Sequence, residues 1–256
     1  MAQPNYGPAI LALAATHIAA GKSEDAIAEA KRIQKERPTM ALGYALESEV
    51  LASQKKYPEA AAAMREALAK QPNPVLAARQ YALLVAAGKM GEANAFAERW
   101  TKEHAKDAAF LSLVGQQRQA AKDTAGATSA YRAALEIDPD NVVVLNNLAW
   151  MLNEQGKPEA LELAERAHGL APLNANVIDT HGTILIARGD TQRGLAMLKQ
   201  ATHLAPGDSR LRLNYARALA KGGDKTGAKQ ELETLLARTP SPSKTRTDAE
   251  ALLKSL

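Results

Sequence analysis

The chain has no cysteine in its 256 residues, which excludes structural disulfides, thiolate metal sites and a cysteine nucleophile. Aromatic side chains make up only 4% of it, against 46% apolar residues overall. Alanine carries much of that apolar share, so helices can approach closely where a wide aromatic core cannot form. Runs of β-branched residues are lacking apart from Val142-Val143-Val144, which argues against sheet. No segment reaches the ~18 apolar residues that span a bilayer. The run Ala9–Ala20 has no preceding Lys or Arg and is interrupted by His17, so it reads as a first helix rather than a signal-peptide core. Catalytic signatures are missing as well: there is no GxSxG, Walker loop, GxGxxG or HExxH. The histidines (His17, His104, His168, His181 and His203) show no metal-ligand spacing with an acidic neighbour, and His181 reads as a packed side chain. The expectation is a non-enzymatic chain with no catalytic residues, no metal and no cofactor.

The net charge of +4 is too mild to argue for nucleic acid. Its distribution is uneven, with ten Lys/Arg against five acids over residues 209–256. A solvated face accounts for such a run, and an acidic partner is the alternative.

What is present is a period. Residues 108–141 read as two short amphipathic helices with Leu111, Val114 and Gly115 on one face of the first and Ala127, Tyr131 and Ala134 on one face of the second. Asp138-Pro139-Asp140 closes the unit, where proline prevents the helix from continuing. This 34-residue unit cannot bury both its apolar faces alone, and it recurs. Aligning on the closing prolines (Pro38, Pro72, Pro139, Pro172, Pro206 and Pro240) divides the chain into 7–40, 41–74, 75–107, 108–141, 142–174, 175–208 and 209–242. A polar lead, 1–6, precedes them. The small residue opening the second helix is Ala26, Ala60, Ala127, Ala160, Gly194 or Ala228. The third unit is degenerate, with Tyr81, Trp100 and Ala105 replacing the expected small, small and proline residues, and the fifth has a loop one residue short. Ser23 is expected to cap a second helix, and Gly88, Gly156, Gly189 and Gly222-Gly223 to turn between paired helices. Residues 243–256 hold a capping helix from about Thr247, with Ala251, Leu252 and Leu253 covering the last repeat while Lys244, Arg246 and Asp248 face water. The first helix is apolar on all sides (Ile10, Leu11, Leu13, Ile18), so self-association or further repeats upstream would cover it.

Seven such units in register resemble the tetratricopeptide repeat, a helix–turn–helix module. The resemblance implies an all-α fold: a right-handed superhelical solenoid of about seven repeats plus the C-terminal cap, binding a protein or peptide ligand in its concave groove. First helices line that groove, at repeat positions 2, 5, 6, 9, 12 and 13. In the fifth repeat these give Asn146, Asn147, Trp150 and Asn153; in the sixth, Asn176, Asp179, Thr180 and Thr183; in the seventh, Arg210, Asn214, Arg217 and Lys221. Asparagine is a poor interior-helix residue, so three beside a tryptophan suit a binding surface, where amides grip backbone and the indole gives contact area. The arginines suit a carboxylate. The other reading is that Asn147 packs between repeats and Trp150 fills the gap left by the shortened loop. The carboxylate clamp by which some family members hold chaperone C-termini is not matched in any three consecutive repeats.

The run VLNNLAWML, with NEQGKPEALELAERAHGLAP and NANVIDTHGTILIARGD after it, is similar to bacterial tetratricopeptide proteins encoded with exosortase (PEP-CTERM) and exopolysaccharide systems. That resemblance implies a scaffold for polysaccharide or protein export in the bacterial envelope, in the periplasm if the chain is an excised fragment. With Met1 as a native start, a cytoplasmic adaptor or co-chaperone binding acidic C-terminal peptides is the alternative. A third reading is the regulatory domain of a larger enzyme.

Overall fold

The computed structural model describes residues 22–256 together with Ala12, Thr16 and Ala20. The apolar first helix expected over Pro8–Ala20 therefore lies outside the described residues, except that the Thr16 hydroxyl donates to the Ala12 carbonyl at 2.8 Å. Among the described residues there are fourteen helices and no strand. In chain order they are α1 (Ser23–Glu36), α2 (Ala41–Ser53), α3 (Tyr57–Lys70), α4 (Pro74–Ala86), α5 (Met90–Glu103), α6 (Ala108–Ala120) and α7 (Thr124–Ile137). These are followed by α8 (Val142–Glu154), α9 (Glu159–Leu170), α10 (Ala175–Ala187), α11 (Thr191–Leu204), α12 (Ser209–Lys221), α13 (Lys225–Arg238) and α14 (Lys244–Ser255). They form two compact units, residues 1–137 and 138–256.

Within each unit, helices pair through small residues. In unit 1 the Ser48 hydroxyl of α2 donates to the Ala60 carbonyl of α3 at 2.8 Å, and Gly115 of α6 faces Tyr131 of α7. A Cβ on Gly115 would stand 2.5 Å from Tyr131 Cε1, so only glycine admits that ring. In unit 2, α10 and α11 meet at Gly182 and Gly194, where a Cβ on Gly182 would come within 2.9 Å of the Gly194 carbonyl. Ala67, Ala134, Ala167 and Ala201 on the second helices are fully buried by the same close approach.

The α4/α5 pair is the exception. Tyr81 stands where α2 and α6 carry Ser48 and Gly115, and Trp100 stands where α3 and α7 carry Ala67 and Ala134. These rings hold the two helices apart, and α5 packs on α4 far less closely than the second helices of neighbouring pairs do on their first. Both rings are nonetheless buried and tied down. Tyr81 Oη accepts from Arg118 Nε at 3.1 Å, and Trp100 Nε1 donates to Asp107 Oδ2 at 2.9 Å. Phe96 and Phe110 pack on the Trp100 ring with centroids 6.1 and 5.7 Å away.

Each turn within the pairs from α2/α3 onward has one residue at positive φ. Gly88, Gly156, Gly189 and Gly223 supply it, and Lys55 and Lys122 take the same conformation at 60° and 61° despite their side chains. Five first helices are capped by Asn73, Asp107, Asn141, Asn174 and Asp208, each accepting from the backbone of the opening turn, whereas α2, preceded by Met40, has no side-chain cap. The Ser23 cap expected for α1 is not made: the helix already includes Ser23, and the N-cap position is Lys22, which has no side-chain cap.

In unit 2, α14 begins at Lys244, three residues before the expected start, because Ser243 caps it through the Arg246 N–H at 3.2 Å. Ala249, Leu252, Leu253 and Leu256 pack on Leu213, Leu232 and Leu235 of α12 and α13, whereas Ala251 is exposed rather than covering the repeat. Arg246, expected in water, is half-buried and donates from Nη1 to the Leu236 and Thr239 carbonyls, both at 2.8 Å, satisfying the end of α13. No helix among the described residues is long and apolar enough to cross a membrane.

Candidate functional site

Three first helices of unit 2, α8, α10 and α12, open onto one concavity of about 340 Å³. Trp150 and Asn153 come from α8, Thr183, Ile186 and Ala187 from α10, and Asn214, Arg217, Ala218 and Lys221 from α12, with Leu198 of α11 beneath. The helical repeat explains the grouping: Trp150, Thr183 and Arg217 occupy the same position on successive first helices, and stacking sets them side by side. Leu198 is buried and Ile186 half-buried, which gives the hollow an apolar floor under a polar rim. Trp150 is partly exposed, and no hydrogen bond engages its indole N–H among the described residues. It is therefore neither fully packed between helices nor standing clear of them.

One polar group of the wall, Asn214, is held by a buried carboxylate. Asp179 of α10 is 1% exposed, and its Oδ2 accepts from Asn214 Nδ2 at 2.9 Å and from Arg210 Nη1 at 3.4 Å. Burial pushes its pKa up to about 6; the hydrogen bond from Asn214 and the charge of Arg210 oppose the rise, and Asp208 adds to it. Its Oδ1 is buried without a partner among the described residues. Arg210 is drawn away from any ligand: it also bonds Asn176 Oδ1 and pairs with Asp208 at 3.2 Å. Arg217 reaches Asp248 of α14 at 3.0 Å, so the capping helix shares its charge. Lys221 has no ion-pair partner among the described residues.

The structure thus gathers Trp150, Asn153, Thr183, Asn214 and Arg217 around the concavity, and leaves Asn146, Asn147, Asp179 and Arg210 outside its wall. Asn146 and Asn147 are half-buried on α8, the former with Oδ1 unpartnered among the described residues. Lys221, expected on the groove, also stands in the wall, and two wall residues not singled out there, Ile186 and Ala187, occupy repeat positions 12 and 13, which face the groove as well. Leu198 lies on a second helix, and no first-helix rule could have found it. The same unit holds a histidine pair that the sequence did not announce: His168 Nδ1 of α9 lies 3.1 Å from His181 Nδ1 of α10. Among the described residues no third His, Asp, Glu or Cys completes a metal site with them.

Comparison with known proteins places this arrangement. Models of the tetratricopeptide repeat match residues 11–74, 130–162 and 185–256. The chain belongs to the tetratricopeptide-repeat family. It is 33% identical over 128 residues, 46% of its length, to cellulose synthase operon protein C of Xanthomonas axonopodis pv. citri, and 32% identical over 132 residues, 50% of its length, to cellulose synthase 1 operon protein C of Komagataeibacter xylinus. Those matches span only 8% and 10% of the relatives' own length. Among solved structures, a tetratricopeptide repeat protein from Parabacteroides merdae aligns over 98% of both chains with a TM-score of 0.61 at 15% identity, a likeness of fold alone. The all-α repeat solenoid expected from the sequence is the fold found. Tetratricopeptide arrays are scaffolds for protein–protein interaction and typically non-catalytic.

Proposed function

We propose that this tetratricopeptide chain holds a polypeptide in the concavity of unit 2, as a scaffold in bacterial exopolysaccharide production and export across the envelope. The observation that carries the binding site is the convergence of Trp150, Asn153, Asn214 and Lys221 from first helices around an apolar floor. Asn214 donates one N–H to Asp179, which orients the amide and leaves its oxygen to accept from a backbone N–H. Asn153 offers both donor and acceptor, the Trp150 indole offers area and an N–H, and Lys221 and Arg217 favour a carboxylate at one end. The export setting rests on the similarity to cellulose synthase operon proteins, and with it the envelope as compartment.

A Trp100→Phe chain leaves Trp150 as the single tryptophan reporter. Its emission is expected to be red-shifted and readily quenched by acrylamide, and protected when a bound peptide covers it. Trp150→Ala is expected to keep the helical content and to weaken that peptide by about tenfold or more, the usual cost of truncating an aromatic anchor. Peptide affinity unchanged in Trp150→Ala would remove the site. For the setting, a deletion strain should lose secreted polysaccharide and recover it with the wild-type gene but not with Trp150→Ala; polysaccharide unaffected by the deletion would reject it.

A further inference from the structure

Unit 1 carries a second, unrelated cleft on the side built by its second helices. It lies between α3 and α5, holds about 580 Å³, and is floored by Gln80 and Leu84 of α4. Its origin is the spread α4/α5 pair: Tyr81 and Trp100 keep α5 off α4, while α3 lines the gap largely with the small Ala61, Ala62 and Ala69, beside Pro58, Arg65 and Leu68. A volume of that size falls in the ordinary range of ligand pockets.

Three features give the cleft a chemistry. Gln80 is 5% exposed, and its Oε1 is buried without a hydrogen-bond partner among the described residues. A buried amide oxygen without a partner is costly, and because Gln80 lines the floor, a ligand donor that reached this amide would relieve that cost. Arg65 and Arg99 stand in the walls with no ion-pair partner among the described residues, whereas Lys89 is neutralised by Glu92 at 2.9 Å. Arg99 lies over the Phe96 ring, 5.8 Å from its centroid, so its guanidinium is displayed beside an aromatic wall. The cleft then runs on: Pro72, Trp100 and His104 also line an adjoining hollow of about 540 Å³, with His104 stacked on Trp100 at 3.9 Å.

From these we infer that the α3/α5 cleft of unit 1 binds an extended acidic peptide, distinct from the ligand of the unit 2 groove. A backbone N–H satisfies Gln80, carboxylate side chains meet Arg65 and Arg99, and alternate apolar side chains enter between Leu68 and Phe96. Nucleic acid fits less well, because the Trp100 ring is too buried to stack a base, and a peptide can place its carboxylates at Arg65 and Arg99 and its apolar side chains beside Glu103, which a uniformly charged backbone cannot. The continuation past Pro72 and His104 suits a strand several residues long rather than a compact small molecule.

The test uses the full chain carrying Trp150→Phe, so that Trp100 in the cleft is the sole tryptophan. The probe is an acetylated, amidated peptide in which leucine and phenylalanine alternate with glutamate, beside a counterpart with lysine in place of glutamate. The glutamate peptide is expected to shift Trp100 emission saturably and to bind about tenfold or more tighter than the lysine peptide. Arg65→Ala/Arg99→Ala, which alters only exposed side chains, should lose about tenfold or more of that affinity, and Gln80→Leu should weaken it with unchanged circular dichroism. No response of Trp100, equal affinity for the two peptides, or full affinity in the double-alanine chain would overturn the inference. None of these results bears on the unit 2 groove, which Trp150 reports.

Discussion

Asp179 and His181 lie two positions apart on α10, both buried, and they set opposite pH responses in unit 2. Asp179 has its pKa raised to about 6 by burial, above the ordinary carboxylate value. Between roughly pH 4 and 6 the folded chain therefore binds a proton that the unfolded chain has released. Stability from this group is present on the acid side and is lost as pH climbs through about 6, a change worth roughly 2–3 kcal/mol. His181 has its pKa lowered, first by burial and then by the charge of His168, with Arg193 adding and Glu165 opposing. Its stability is present above the unfolded value near 6.5 and is lost as pH falls below that. One ring of the pair must donate to the other; the less costly tautomer has His181 donate from Nδ1, since its Nε2 is buried without a partner among the described residues. The two effects separate by substitution. On acidification from about pH 7 to pH 5, the wild type should gain melting temperature relative to Asp179→Asn and lose it relative to His181→Leu. Parallel melting curves across that range in both comparisons would show that neither group titrates in the folded chain.

At the scale of helices, the close approach of α10 and α11 rests on Gly182 and Gly194. A Cβ on Gly194 would stand 2.4 Å from Ile186 Cγ1 and 2.6 Å from the Gly182 carbonyl oxygen, and the second of these is backbone that cannot swing aside. Gly194→Ala should cost about 1–3 kcal/mol by overpacking. Gly169, near the end of α9, has nothing within 4 Å of its would-be Cβ, so Gly169→Ala should be neutral or stabilise by up to ~1 kcal/mol. Chemical denaturation of the two variants checks the contrast, and equal costs would mean that the Gly182–Gly194 contact does not set the packing. This pattern was legible in the sequence because small residues recur at one period: Ala60, Ala127, Gly194 and Ala228 mark the second helices without any knowledge of distance. Most of the groove was legible on the same ground, since repeat position predicts facing. What escaped depends on pairings between repeats. Asp179 and Arg210 are 31 residues apart, and no rule for a single helix says that this arginine turns to the buried carboxylate rather than to a ligand. Arg217 likewise finds Asp248 on the cap. The unit 1 cleft escaped because degeneracy in a repeat reads as a weak match, whereas physically Tyr81 and Trp100 are spacers.

For the whole chain, stability in a repeat array is a sum of local terms, each pair of helices supported mainly by its neighbours. The packing among the described residues agrees with that: the hydrophobic clusters join helices that are neighbours or next neighbours in sequence, from Ala26 and Leu46 in α1 and α2 to Leu213, Leu235 and Ala249 in α12, α13 and α14. Damage should therefore stay near where it is made, a property that a scaffold holding one partner in unit 2 and another in unit 1 would use. Native-state hydrogen exchange on Gly194→Ala reads this directly. Amides of α10 and α11, Ala175–Ala187 and Thr191–Leu204, should lose protection by close to the full cost of the substitution. Amides of α2 and α3, Ala41–Ser53 and Tyr57–Lys70, should lose much less, because their openings do not require unit 2 to open. An equal loss in both sets would mean that the chain opens as one cooperative block, and a partner bound in one unit would then be released whenever the other was disturbed.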